Sequence, residues 1–326
     1  MNFGCSTRIT FLGLTMLSAS LPSSLATATE SNILIIDEAT LPDGRTVTLE
    51  ERGRPGLCLG RHLRLRHGDD TVWERDSGSL SEARLHLTST GALLVILRST
   101  GSDSNAITCF KIDSNGQEQC RRVVETALMI GDKAFRPGWI GLPDEARDGS
   151  MLIPSSQVCR NMHGDDAIEH VVLRVPAISG EPVSATRLAV DLSPRSMHLR
   201  EVRELPDSGL LLCVFVERAP DGSSKPHSVA LAAFDEFGFM QGKSPLSFDV
   251  PAACWPLLSS TPLNCFHQKM LTVAGTNRIE LIPSAESGQV VVNLGSLARG
   301  GELTADIEPE GACISRQALP AHPISP

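Results

Sequence analysis

A bend built from an acid and a glycine returns along this chain between short apolar runs, at steps of roughly sixty residues. Asp113-Ser114-Asn115-Gly116 follows the run Ala106 to Ile112, and Asp235-Glu236-Phe237-Gly238 follows Ser228 to Phe234. Short apolar runs closed by turn residues are strand signals, because Asp and Gly tolerate the backbone angles that a tight reversal needs. Gly91, Gly149 and Gly209 open successive units, and Trp139 and Trp255 lie two steps apart. Helical periodicity is nearly absent, with Glu118 to Met129 the best exception. Such a chain is confined to all-β architectures made of repeated supersecondary units.

Taken in order, Ile33 to Asp37 reads as a first strand, and His67-Gly68-Asp69-Asp70 as a hairpin tip. Ala92 to Arg98 is nearly continuous apolar, the pattern of a strand covered on both faces. Leu210 to Val216 repeats it, and a degenerate fifth unit runs from Met270 to Leu294. Four-strand units at this period resemble the blades of diverse bacterial β-propellers. The residues that carry the resemblance are Ile112-Asp113-Ser114-Asn115-Gly116 and Phe234-Asp235-Glu236-Phe237-Gly238. It implies a β-propeller of about five four-stranded blades, with the strand near Ile33 completing the last blade and closing the ring. A β-sandwich pair or an irregular β-solenoid satisfies the same pattern.

The first 28 residues carry an export signal: Arg8, an apolar stretch from Ile9 to Leu21, and a small-x-small site at Ala26-Thr27-Ala28. Residues 29–326 then form a single propeller-like domain, secreted or periplasmic, with no membrane span expected. The net charge of −9 disfavours nucleic acid as a partner, since an acidic surface repels phosphate. Tyrosine is absent, so the ring stacking that sugar sites favour is scarce. No cofactor-binding motif occurs, and no cofactor is expected.

Cysteine usage fits an oxidising compartment, because the even number left after Cys5 departs can pair. If Asp113 and Gly116 oppose each other across a tight hairpin, Cys109 faces Cys120 at the separation a disulfide needs. Cys254 and Cys265 can close a local loop around Pro256 and Pro262.

Two polar groupings stand out. His163, Asp165 and Asp166 combine imidazole and carboxylate, the donors of a transition-metal site, yet His-Gly-Asp-Asp also recurs at residues 67–70, as a hairpin tip would. Arg61, Arg64 and Arg66 form a basic run that can dock an acidic partner. No catalytic residue is identified from motifs. The expectation is therefore a non-catalytic binding or assembly module, with protein or a small ligand held at the rim or funnel. The alternative is a hydrolase or lyase whose carboxylates and histidines gather at the funnel from several units.

Overall fold

In the computed structural model the chain divides into two compact units, Met1–Ser31 and Asn32–Pro326. The described residues all belong to the second. They are 32–40, 46–53, 62–67, 69–76, 80–88, 92–99, 106–113, 117–124, 128–130, 133–136, 138–160, 166–178, 181–192, 197–205, 208–217, 227–250, 271–275, 278–281, 290–293, 304–307 and 315–317.

The unit is all-β, built from several antiparallel sheets with no helix among the described residues. The first sheet holds β1 (Asn32–Thr40), β2 (Thr46–Gly53), β3 (His62–His67) and β4 (Asp70–Asp76). The second holds β5 (Leu80–Leu87), β6 (Leu93–Ser99), β7 (Ile107–Ile112) and β8 (Glu118–Val124). A two-strand ladder follows, β9 (Leu128–Ile130) with β10 (Lys133–Phe135). The third sheet contains β11 (Trp139–Ile140), β12 (Asp144–Glu145), β13 (Met151–Arg160), β14 (Asp166–Val175) and β15 (Ser184–Arg187). One edge of this sheet is shared by β11 and β12, which both pair with β13.

The fourth sheet runs β16 (Met197–Glu204), β17 (Leu211–Glu217), β18 (His227–Phe234) and β19 (Met240–Val250). The fifth runs β20 (Leu271–Gly275), β21 (Arg278–Leu281), β22 (Val290–Asn293) and β23 (Thr304–Ile307). Finally β24 (Ser315–Gln317) returns to pair with β19 of the fourth sheet. No described sheet closes on itself.

Alternation decides how the sheets pack. In β6, Leu93, Val95 and Leu97 face a cluster shared with Val47, Leu49, Leu65 and Trp73 of the first sheet. Leu94 and Ile96 face the other way, into a cluster with Ile153, Val171 and Leu173 of the third. Leu152 and Val172, one position out of step with those, join Leu199, Cys213 and Phe215 of the fourth. Each apolar layer thus lies between consecutive sheets, and the middle sheets bury both faces, which is why their strands read as unbroken apolar runs.

The acid-glycine bends share one geometry. Asp113 N–H donates to the Gln117 carbonyl (2.9 Å), and Asp235 N–H to the Phe239 carbonyl (3.0 Å). Each aspartate then accepts the returning N–H four residues on through Oδ1, both at 2.9 Å. Thr88 with Ala92 and Ala146 with Ser150 close in the same way (2.8 Å each). Gly238 has φ +87°, and a Cβ there would overlap the Arg187 carbonyl oxygen, so only glycine lets this turn lie on β15.

Three expectations are corrected. The bend at Asp113 is one residue longer than a tight hairpin, and a further shift falls between Lys111 and Ile112. Cys109 therefore faces Arg122 and Cys120 faces Lys111, rather than each other, and both thiols are free. The strand near Ile33 pairs with β2 in the first sheet and not with the last sheet. Glu118 to Val124 is strand β8, whose burial alternates instead of following a helical period.

Candidate functional site

The first strands of the second, third and fourth sheets meet along a buried polar seam. In β5, Leu85 points into the apolar cluster, which turns Arg84 and His86, and Thr88 just past the strand's end, to the opposite side. All three are buried, an uncommon state for charged groups. In β16 a bulge performs the same sorting. Met197 and Leu199 face the core, the register shifts between Leu199 and Glu201, and Val202 faces the core again. The extra residue leaves His198, Glu201 and Arg203 on the other side of the strand. Bulges re-aim side chains in this way beside functional sites. Between these two strands runs residues 139–145. Leu142 N–H donates to the Arg200 carbonyl (2.6 Å), and Leu142 bridges Glu201 in parallel. A Cβ on Gly141 would overlap that same carbonyl, so glycine is needed for the approach.

The seam has two layers, each with one residue from each sheet. In the first, Asp144 of β12 lies 4.0 Å from His86 Nε2 and 3.3 Å from Arg203 Nε. In the second, Trp139 of β11 has the Arg84 guanidinium 5.9 Å from its ring centroid and the His198 ring 5.2 Å away. Asp144 and Arg203 are 59 residues apart, one step of the repeat. The same step separates Trp139 from His198. The layers thus come from equivalent places in successive units.

Beside the seam, Ser156 Oγ lies 3.0 Å from His170 Nδ1 and accepts the Leu199 N–H at 2.9 Å. His170 packs edge-on against Phe215 (4.9 Å). Burial, with a smaller contribution from His198, pushes the His170 pKa down to about 3. A neutral, enclosed imidazole of that kind is a poor base for activating Ser156, so the pair serves to tie two sheets.

Chemically, the first layer holds a carboxylate, an imidazole and a guanidinium with little water. A carboxylate next to an imidazole can orient it for proton transfer, and low local dielectric strengthens each attraction. Among the described residues no group of three or more His, Cys, Asp or Glu is arranged to hold a metal ion.

The residues singled out from sequence lie elsewhere. His163 and Asp165 are outside the described residues, and Asp166 opens β14 opposite Arg160. Arg61 is also outside. Arg64 pairs with Glu74 (3.4 Å), and Arg66 reaches Glu50 (3.8 Å) and the Asp69 carbonyl (2.8 Å). Cys254 and Cys265 fall outside the described residues. The seam residues went unremarked because no short motif joins them. The signal that was available is the step of three from Leu199 to Val202, where strict alternation requires two.

No family model matches the chain, and no curated protein matches it. Among solved structures, it is similar to a mutant of the apocarotenoid oxygenase of Synechocystis, at 11% identity and a TM-score of 0.37. The match covers 83% of this chain and 58% of that one. A chimera of apocarotenoid oxygenase and RPE65 gives the same coverage at 10% identity and a TM-score of 0.37. The chain thus spans less than two thirds of the length of these oxygenases. A variant of KlHsv2 with one loop replaced by a Gly-Ser linker matches at 9% identity and a TM-score of 0.21. Likeness this loose transfers no residue roles. The expectation of a non-catalytic binding or assembly module is nevertheless corrected here. The first strands bring together buried His86, Asp144 and Arg84, with Arg203 beside them, instead of apolar and small residues.

Proposed function

We propose that the chain is an exported enzyme of the hydrolase or lyase type, acting at the seam between its first strands. In this reading the sheets are blades of a small propeller, and the seam lies along its axis. The parallel bridge between Leu142 and Glu201 supports that arrangement, because inner strands of successive blades run the same way. His86 is the proton-transfer group. Asp144 orients it, and Arg203 fixes Asp144 from the opposite sheet. The observation that carries the reading is the buried Asp144 carboxylate, with His86 Nε2 4.0 Å away from one sheet and Arg203 Nε 3.3 Å away from another. Substrate enters along the axis.

The test is a turnover screen of the purified chain on esters, phosphoesters, glycosides and uronate-containing polymers. Asp144→Asn and His86→Gln each lower the detected turnover by about 10²–10⁴-fold, while Glu217→Gln leaves it intact. Turnover that survives both seam changes, or none on any substrate, overturns the proposal.

A further inference from the structure

A two-residue strand of the third sheet is gripped from both sides. β12 pairs with β13 through Asp144, opposite Leu152, and Glu145, opposite Met151. Partners in a ladder share a face. Leu152 belongs to the cluster of the fourth sheet and Met151 to that of the second, so Asp144 is turned towards the fourth sheet and Glu145 towards the second. The contacts agree. Asp144 Oδ2 lies 3.3 Å from Arg203 Nε, and Glu145 Oε1 lies 2.5 Å from Lys111 Nζ. The Glu145 side chain is 7% exposed and that of Lys111 19%, so little water screens the pair.

Lys111 stands in register with the seam histidine. His86 lies opposite Leu94, and Leu94 opposite Lys111. Leu94 faces the third sheet, so His86 and Lys111 do as well, two strand spacings or roughly 10 Å apart. One row of the second sheet thus meets both carboxylates of β12. His86 Nε2 is 4.0 Å from Asp144 Oδ1, while Lys111 holds Glu145. At 4.0 Å the imidazole and carboxylate are beyond a hydrogen bond, and a move of about 1 Å makes or abolishes one. Towards the fourth sheet the segment is anchored by the Leu142 N–H on the Arg200 carbonyl (2.6 Å) and by Arg203. Towards the second sheet, Arg98 holds the Gly138 carbonyl (2.8 Å) well before Asp144, while Lys111 grips the residue immediately after it. A strand with two ladder residues has little stiffness of its own, so these side chains decide where Asp144 rests.

We propose that Lys111 is a positioning residue for the seam: through Glu145 it draws β12 towards the second sheet and sets the distance from Asp144 to His86. Its effect on turnover rests on the seam reading above, but the placement itself is read without substrate. Proton–carbon NMR of the full chain, carbon-13-labelled at histidine Cε1, tests it. The His86 signal is assigned by its loss in His86→Gln. It moves towards its Asp144→Asn position in Glu145→Gln, which keeps the size of the side chain, and in the charge-free pair Lys111→Met, Glu145→Gln. In Lys111→Arg, which keeps a cation within reach of Glu145, it stays at the wild-type position. Both Glu145 variants lower kcat about ten-fold with KM unchanged, and Lys111→Arg keeps it. Far-UV circular dichroism establishes that the variants fold. A His86 signal unmoved in both Glu145 variants, or moved as far in Lys111→Arg, overturns the proposal. A chain without turnover sinks the seam reaction alone, and the His86 signal still decides what holds Asp144.

Discussion

Ser156 and His170 face each other across β13 and β14, and the same serine oxygen reaches over to the Leu199 N–H of the fourth sheet. One hydroxyl therefore joins two sheets, and it depends on a neighbouring imidazole that stays neutral.

This makes stability fall in acid. The folded His170 pKa is about 3, against an ordinary 6.5, so between those values the unfolded chain binds a proton that the native protein does not. Stability is full above about pH 6.5 and declines as pH falls towards 3, by about 1.4 kcal/mol for each pH unit within that window. Urea midpoints measured from pH 7 to pH 4 read the decline directly. In His170→Gln the slope over this range flattens, leaving only the contribution of other groups.

Asp144 predicts a different kind of loss. Asp144→Ala strands Arg203 in a poorly hydrated seam, and removing one partner of a buried ion pair costs about 3 kcal/mol. The double variant Asp144→Ala, Arg203→Met recovers much of that, because no charge is left behind. Denaturant unfolding of the two variants checks the pair.

Two glycines of the repeated bends separate backbone strain from collision. Gly209 has φ +69° with open space around its missing side chain, so Gly209→Ala costs about 1 kcal/mol, the left-handed penalty alone. Gly238 has φ +87° and the Arg187 carbonyl against it, so Gly238→Ala costs about 3 kcal/mol or more. The difference between the two midpoints measures how tightly the turn sits on β15.

The described thiols differ in reach. Burial raises Cys213 and also Cys109, which rises to about 12, with the neighbouring Cys120 adding to it. Alkylation with iodoacetamide at pH 8 therefore leaves Cys109 and Cys213 untouched until the protein unfolds, while half-buried Cys159 reacts first. Peptide mass mapping resolves the order.

The strands were legible because their cause is local. Leu93 to Leu97 and Leu211 to Val216 are apolar at every position since both faces are covered, and no helical spacing competes. The bends were legible for a similar reason: Asp113 and Asp235 bond to backbone within four residues. Register was not. Whether Asp113 pairs with residue 116 or 117 depends on which N–H its carboxylate captures, and that step, together with the shift between Lys111 and Ile112, moved Cys109 away from Cys120. The seam was hidden for another reason. His86, Asp144 and Arg203 meet only because three strands converge, and each looks like an ordinary surface charge in its own segment. The regular step of the repeat, read together with the bulge at Arg200, is what would have aligned them.

The short strand β24 has a temporal consequence. It pairs with the edge of β19 opposite β18, and it follows all four strands of the fifth sheet in sequence. During synthesis, β19 waits with an open row of amides until residue 317 has emerged. A product cut short before that point keeps an adhesive rim on an otherwise finished body, so nascent-chain quality control would meet this protein at its fourth sheet.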